Sequence, residues 1–307
     1  MARVLCDELT PADRIGAVLA EHVVETSGPP WSGDDVVALV SFAPVTAEDL
    51  DRLPAVRVVS TPSVGFDHVD VGAATARGIW VCNVPDYCIE EMADHALALL
   101  LALVRGVVEL DRDVRVGAWD YEAAGPLRRI GDVRLGVIGF GRIGRALAAR
   151  AQALGMEVCA HDPLVRDDQI AGTGARPAML DDLLRSSDAI SVHAPLTEET
   201  RGLLGPRELE LLPDGAFVVN VSRGALVDTE AVLAALASGR LGGAALDVLD
   251  VEPPTPDLPA PVAPRLIVTP HAGWYSERAE TEVLRRAANA VRDVLAGERP
   301  ANPVNEV

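Results

Sequence analysis

The sequence predicts an α/β chain of two doubly wound domains, with one inserted into the other. Three observations carry this prediction. Short apolar runs alternate with helix-compatible segments along most of the 307 residues, which is how parallel strands joined by helical crossovers read. A glycine-rich turn, Gly139-Phe140-Gly141-Arg142-Ile143-Gly144, lies in the middle of the chain, with an apolar run before it and a helical stretch after it. A last helix, about Ser276 to Ala296, ends at Gly297, and the economical topology returns it to the first domain. The smaller, discontinuous domain then comprises residues 1–89 and 277–307, and the inserted domain residues 90–276.

The elements follow in chain order. Val36 to Val40, Val56 to Ser60 and Ile79 to Cys82 read as short buried strands of a small α/β unit. A long helix runs from Ile89 or Glu90 through Arg105. Its centre, Ala96 to Leu103, is apolar on nearly every face and must be covered within the chain or by a partner. A subunit interface is the preferred reading of this helix. Leu135 to Ile138 precedes the glycine turn, Arg145 to Leu154 follows as helix, and Glu157 to Asp162 forms the next strand, ending on an acid. Further strands are expected at Ala189 to His193, Ala216 to Val221, Ala244 to Val248 and Leu266 to Thr269. Helices at Leu180 to Leu184, around Pro206 to Leu212, and at Thr229 to Ser238 separate them. The proline-rich stretch Glu252 to Pro264 reads as loop.

The glycine turn in this context marks a dinucleotide site and makes the inserted domain a Rossmann domain. Gly139 permits the tight turn, Gly141 lets the backbone approach a pyrophosphate, and Gly144 lets helix and strand pack closely. The helix N-terminus offers free N–H groups and a positive dipole end to the phosphates. Asp162, 23 residues after Gly139, accepts from ribose hydroxyls and repels a 2′-phosphate, so the expected cofactor is NAD rather than NADP.

Composition limits the remaining possibilities. With 46 acidic and 27 basic side chains the formal charge is −19, which repels nucleic acid and anionic membranes. No signal-peptide pattern opens the chain, and Ala96 to Val104 is too short to span a bilayer. Cys6, Cys82, Cys88 and Cys159 are scattered without a C-x-x-C pair, so free thiols in a reducing cytoplasm are expected, with no metal site. An anionic substrate must meet locally placed arginines.

Three polar residues follow strand candidates of the inserted domain. Arg223 follows Val218 to Ser222, Glu252 lies five residues after Asp247, and His271 follows Ile267 to Pro270. Ligands of open α/β sheets bind outside the carboxyl ends of the strands, here in a cleft expected between the domains. Arginine can hold a carboxylate through two parallel hydrogen bonds. Histidine can give a proton to a developing alkoxide or take one back. A glutamate beside it favours the imidazolium and fixes its tautomer. This set suits reduction of a 2-oxo acid, or oxidation of the 2-hydroxy acid.

Over most of its length the chain resembles the D-isomer-specific 2-hydroxyacid dehydrogenases. The matching blocks are Gly136 to Gly144, His193-Ala194-Pro195-Leu196-Thr197 with Thr200, Asn220 to Asp228, Ala245-Leu246-Asp247 to Glu252-Pro253, and Thr269-Pro270-His271. The resemblance implies Arg223, Glu252 and His271 as the catalytic trio. It implies that Arg142, Ile143, Asp162, Thr200, Val221, Arg223, Asp247, His271 and Gly273 line the cofactor. His193, Ala194 and Ser222 lie in the same blocks and are assigned to the cofactor site, His193 at its edge or in packing. The resemblance also implies that backbone N–H groups near Val64 and Gly65 hold the substrate carboxylate. Two blocks, Cys82 to Glu91 and His271-Ala272-Gly273-Trp274-Tyr275-Ser276-Glu277, are similar to the C-terminal-binding-protein-like members, in which a tryptophan at the position of Trp274 borders the substrate pocket. An indole suits an apolar side chain.

One block departs from the family. Where many members have R-x-G-x-G-x-D, this chain has Thr61-Pro62-Ser63-Val64-Gly65-Phe66-Asp67, and the missing arginine argues against phosphoglycerate. A second reading is an NAD(H)-responsive dimeric scaffold with little turnover. Retention of all three catalytic side chains, and a chain that stops soon after Asn305, favour the enzyme. Formate is disfavoured by Glu252, and the sequence leaves phosphite open. His22, His68, His95 and His161 read as structural or exposed.

Overall fold

A computed structural model of the chain describes residues 2–254 and 265–307. The chain divides into two compact units, Met1–Tyr87 with Tyr275–Val307, and Cys88–Trp274. Residues 255–264 of the expected proline-rich loop lie outside the described residues.

The first unit opens with β1 (Arg3–Cys6), α1 (Ala12–Val18), β2 (Val23–Thr26) and β3 (Val36–Val40). It continues with α2 (Ala47–Asp51), β4 (Val58–Ser60), α3 (Val71–Ala76) and β5 (Trp80–Cys82). The strands form one parallel sheet in the order β2-β1-β3-β4-β5, the second common doubly wound order. β1 and β2 were not among the strands expected from sequence. Each has four residues, and β2 is a largely exposed edge strand with no apolar run to mark it. Leu5, Trp31, Leu39, Leu50, Val59 and Val81 fill the core. Fully buried Trp31 satisfies its indole by donating to the Pro44 carbonyl at 3.0 Å.

The second unit begins with α4 (Ile89–Arg105), which stops where Gly106 adopts the left-handed conformation, φ 58°. α5 (Val107–Arg115) follows, then β6 (Arg134–Ile138), α6 (Arg142–Ala153), β7 (Glu157–His161), α7 (Asp167–Ala171), β8 (Arg176–Pro177) and α8 (Leu180–Ser186). β9 (Ala189–Val192), α9 (Pro206–Leu211), β10 (Ala216–Asn220), α10 (Thr229–Ala237), β11 (Leu241–Leu246) and β12 (Leu266–Val268) complete it. The parallel sheet runs β12-β11-β10-β9-β6-β7-β8, the dinucleotide-domain order with one strand added at an edge. Alternation along each strand divides the apolar residues between two faces. Leu135, Val137, Phe217 and Val219 pack with α4 and α6, whereas Ile190, Val192 and Val218 pack with Leu183, Leu209 and Val232 on the opposite side.

α4 is covered on one face within its own unit. Ala93, Ala96, Leu99, Leu100, Leu103 and Val104 are buried, while Leu97 and Leu101 are half-buried and Ala98 is exposed. No helix among the described residues is long and apolar enough to cross a membrane. All four cysteines are buried free thiols. α11 (Glu277–Leu295) belongs to the first unit, where it packs on α1 and β4. Ser276 caps it, its side chain accepting from the Ala279 N–H at 3.0 Å.

An ion cluster around the buried Asp188 carboxylate ties the entrance of β6 to that of β9. The Asp188 carboxylate accepts from Arg128 Nη1 at 2.6 Å, from Arg134 Nε at 2.8 Å and from the Arg134 N–H at 3.0 Å. Burial pushes this carboxyl up, but the arginine donors and the backbone N–H outweigh it and bring it down to about 2. A carboxyl lowered on folding contributes stability that is present above its ordinary value of 3.8 and is lost as pH falls toward 2. Asp188→Asn is expected to cost about 2 kcal/mol at neutral pH, a figure reduced because both arginines are partly exposed. Urea denaturation should show the gap to the parent narrowing as pH falls through that window; an equal midpoint at neutral pH would remove the cluster from the stability account.

Candidate active site

Because every strand of the second unit's sheet is parallel, all carboxyl ends lie at one edge. The order of neighbours reverses between β6 and β9, and the crevice at such a switch point is where ligands bind in this architecture. Gly139 leaves β6 at that point with φ 89°, and a Cβ there would lie 2.5 Å from the Ala194 nitrogen. Gly144 sits in the first turn of α6, where a Cβ would lie 2.2 Å from the Gly139 carbonyl oxygen. Both positions are closed to any side chain.

Gly141 is the N-cap of α6 and faces open space. The helix starts at Arg142, three residues earlier than expected from sequence, so Arg142 and Ile143 occupy its first two positions. Their N–H groups belong to the four that a helix leaves without internal partners, and no side chain caps them and no acid stands in the first turn. Asp162 follows β7. Its Oδ2 accepts from the Phe140 N–H at 2.7 Å and its Oδ1 from the Leu164 N–H at 2.9 Å, which fixes the carboxylate while each oxygen keeps acceptor capacity. Uncapped donors, open space at Gly141 and an oriented carboxylate fit a dinucleotide.

The turn after β10 is tied to the end of β9 and to itself. Ser222 Oγ donates to the Val192 carbonyl at 3.0 Å, and Asn220 Nδ2 donates to the Arg223 carbonyl at 2.8 Å. Asn220, fully buried, holds the turn that carries Arg223; in the sequence it read as the last residues of a strand. Val221 is buried. Thr200 Oγ1 donates to the Pro195 carbonyl at 2.7 Å, which shapes the loop after Ala194. His193 pairs Nε2 with Ser191 Oγ at 2.8 Å, while its Nδ1 is buried without a protein partner among the described residues. Burial pushes this imidazole down to about 4, so it is neutral at physiological pH.

Glu252 and His271, from the loops after β11 and β12, meet directly. His271 Nδ1 lies 2.7 Å from Glu252 Oε2, and Glu252 Oε1 accepts from the Leu249 N–H at 2.7 Å. Burial raises the Glu252 carboxyl, but these two donors outweigh it and leave it below its ordinary value. An ionised carboxylate only accepts, so Nδ1 carries the proton and Nε2 is left to exchange one. His271 adopts φ 52°, a left-handed conformation that costs a non-glycine residue about 1–3 kcal/mol. Its N–H donates to the Asp247 carbonyl at 2.8 Å, and the next two N–H groups, of Ala272 and Gly273, donate to the Asp247 carboxylate at 2.9 Å.

Asp247, expected among the cofactor-lining residues, thus turns its carboxylate inward. That side chain is fully buried and holds the loop after β12, accepting from Thr269, Ala272 and Gly273. Gly273 is pressed against it, since a Cβ there would lie 2.9 Å from Asp247 Oδ2. Trp274, next along, is partly exposed. Val64 and Gly65 belong to the first unit, in the loop after β4. Asn83 Nδ2 donates to the Val64 carbonyl at 2.6 Å and Ser63 Oγ to the Gly65 carbonyl at 2.6 Å, which fixes the peptide planes of that loop.

A dinucleotide-binding domain with a guanidinium and a carboxylate–imidazole pair at its strand ends defines an oxidoreductase site. Residues 97–273 match the family model described as D-isomer specific 2-hydroxyacid dehydrogenase, NAD binding domain. The chain is 40% identical over 278 residues to a glyoxylate reductase of Korarchaeum cryptofilum, covering 89% of this chain and 83% of that protein. It is 41% identical over 271 residues to a D-3-phosphoglycerate dehydrogenase of Mycobacterium leprae, covering 88% of this chain but only 51% of that longer protein. The crystal structure of D-lactate dehydrogenase from Aquifex aeolicus, complexed with NAD and lactic acid, superposes with a TM-score of 0.90 at 27% identity, covering 99% of each chain. The chain belongs to the D-isomer-specific 2-hydroxyacid dehydrogenase family, NAD-dependent oxidoreductases of 2-hydroxy acids.

Asp162→Asn keeps an acceptor oxygen but removes the charge that, with a dinucleotide bound as the sequence predicts, would repel a 2′-phosphate. Its NADPH-to-NADH affinity ratio, measured by cofactor fluorescence titration, is expected to rise about tenfold; an unchanged ratio would take Asp162 out of cofactor selection.

Proposed function

We propose that the chain interconverts a small, unphosphorylated 2-oxo acid and its D-2-hydroxy acid, with Arg223, Glu252 and His271 as the catalytic residues. The observation that carries this reading is the 2.7 Å contact between His271 Nδ1 and Glu252, which dedicates Nε2 to proton exchange. In reduction, Arg223 holds the substrate carboxylate and orients the carbonyl. His271 Nε2 gives a proton to the carbonyl oxygen and takes it back in oxidation, and Glu252 stabilises the imidazolium while it carries that proton. NADH, when bound, supplies the hydride that C2 receives. The first-turn N–H groups of Arg142 and Ile143 bind its pyrophosphate, Asp162 binds its adenosine ribose, and the loops bearing His193, Ala194, Thr200, Val221, Ser222 and Gly273 line the rest.

Two features support the substrate class. Thr61 and Ser63 replace the basic and glycine positions of the family loop, and Trp274 offers an indole next to the histidine loop. The blocks around Asn83 and Trp274 also support the C-terminal-binding-protein-like branch of the family. The relatives named above are enzymes, which favours turnover over a scaffold role. NADH oxidation should be followed against glyoxylate, pyruvate, phenylpyruvate, 4-methylthio-2-oxobutyrate and 3-phosphohydroxypyruvate. Turnover of an unphosphorylated acid is expected, with kcat falling about 10³-fold in His271→Ala and about 30-fold in Glu252→Gln, while NADH affinity holds. Parental turnover in His271→Ala would overturn the acid–base assignment.

The same reading includes a homodimer through the helix Glu90–Arg105, in the cytoplasm, where free thiols persist. The uncovered face of α4 adjoins α5, which has no buried residue, and the following segment exposes Trp119 and Tyr121 at 91% and 83%. Exposed apolar patches of this kind mark protein interfaces. Sedimentation at micromolar concentration is expected to show a dimer, and Trp119→Ser with Tyr121→Ser to shift it toward monomer. A monomeric parent would sink this part.

A further inference from the structure

We propose that His95, on α4, is a positioning residue for His271, acting through Thr269 and Asp247; this rests on the acid–base role assigned to His271 above. Thr269 Oγ1 stands 2.5 Å from Asp247 Oδ1 and gives it its single proton. The same oxygen lies 3.1 Å from His95 Nε2, and Asp247 Oδ1 lies 3.3 Å from that nitrogen. A hydroxyl whose proton is spent can only accept, and a carboxylate can only accept. His95 therefore presents an N–H at Nε2, which is, among the described residues, the one side-chain donor that another secondary-structure element of the unit brings to this cluster.

The cluster decides the conformation of the histidine loop. The Asp247 carboxylate is fully buried, and its two oxygens receive the consecutive N–H groups of Ala272 and Gly273, directly after His271. Burial by itself raises such a carboxyl, and donors from His95, Thr269, Ala272 and Gly273 hold it below its ordinary value instead. A buried carboxylate stays ionised only while donors surround it. Contact is also steric. A Cβ at Gly273 would meet His95 Cδ2 at 3.2 Å and the Met92 sulfur at 3.3 Å, so one face of α4 abuts the loop. His95 thus joins a helix of the domain core to the turn that holds His271 at φ 52°. Its side chain is about one-quarter exposed.

The test compares two amides of different reach. Glutamine can place its side-chain N–H where Nε2 stands, whereas asparagine is too short. In the cofactor-free protein, amide hydrogen exchange at Ala272 and Gly273 is expected to quicken about tenfold in His95→Asn and His95→Phe and to stay near parental in His95→Gln. With NADH and the best 2-oxo acid, kcat should fall about tenfold in the asparagine and phenylalanine variants and recover in the glutamine variant, with KM for the acid nearly unchanged. Parental kcat and exchange in His95→Asn would overturn the proposal, as would a slow His95→Gln. A parent that turns over no 2-oxo acid would overturn the proposed activity instead, and the exchange comparison would still decide the positioning role.

Discussion

Parallel pairing is the constraint on which the second unit depends. A parallel strand cannot be joined to its neighbour by a tight turn, so the strands are linked by long crossovers, helical ones from β6 through β11, and each strand's carboxyl end falls on the same edge. Gly139, Asp162, His193, Arg223, Asp247 and His271 are separated by up to 132 positions in the chain, yet each lies at that edge. The reversal of neighbours between β6 and β9 opens the crevice, and the closeness of Gly139 to Ala194 sets how tightly it is built. The chemistry is therefore a consequence of topology first and of side chains second.

Within that frame, two carboxylates with different surroundings divide the work. Glu252 is partly exposed and spends one oxygen on His271 and the other on its own loop. Asp247 is buried and spends everything on shape. The first sets which imidazole nitrogen carries a proton at rest, and the second compensates the backbone cost of placing His271 in a left-handed conformation. A pair of hydrogen bonds to backbone N–H groups, each worth about 1.5–3 kcal/mol when the acceptor is charged, is large enough to do so.

The charge of −19 opposes the approach of an anionic cofactor and an anionic acid. The answer is local. The N-terminus of α6, the position proposed for the pyrophosphate, offers uncapped backbone N–H groups, whose partial charges owe nothing to composition, and no acidic residue stands in its first turn. The surface charge then acts against nucleic acid and like-charged surfaces without defeating the site.

The glycine fingerprint, the acid after it and the strand-end polar residues were legible in the sequence because each is a local pattern: a turn that admits only glycine, a strand that ends on a polar residue, a run whose period marks it as helix or strand. Short or exposed strands such as β1 and β2 were not, since four residues carry too little pattern. Asp247 was assigned to the cofactor through the family resemblance alone, and its place after a strand does not say which way its side chain turns. His95 read as a structural or exposed histidine on an apolar helix, with nothing nearby in sequence to connect it to His271, 176 positions away. Local sequence determined where the chain turns and which groups it offers. Only the packing of α4 against the loops after β11 and β12 decided which of those groups meet, because contacts between distant segments exist only once the sheet has closed over its core.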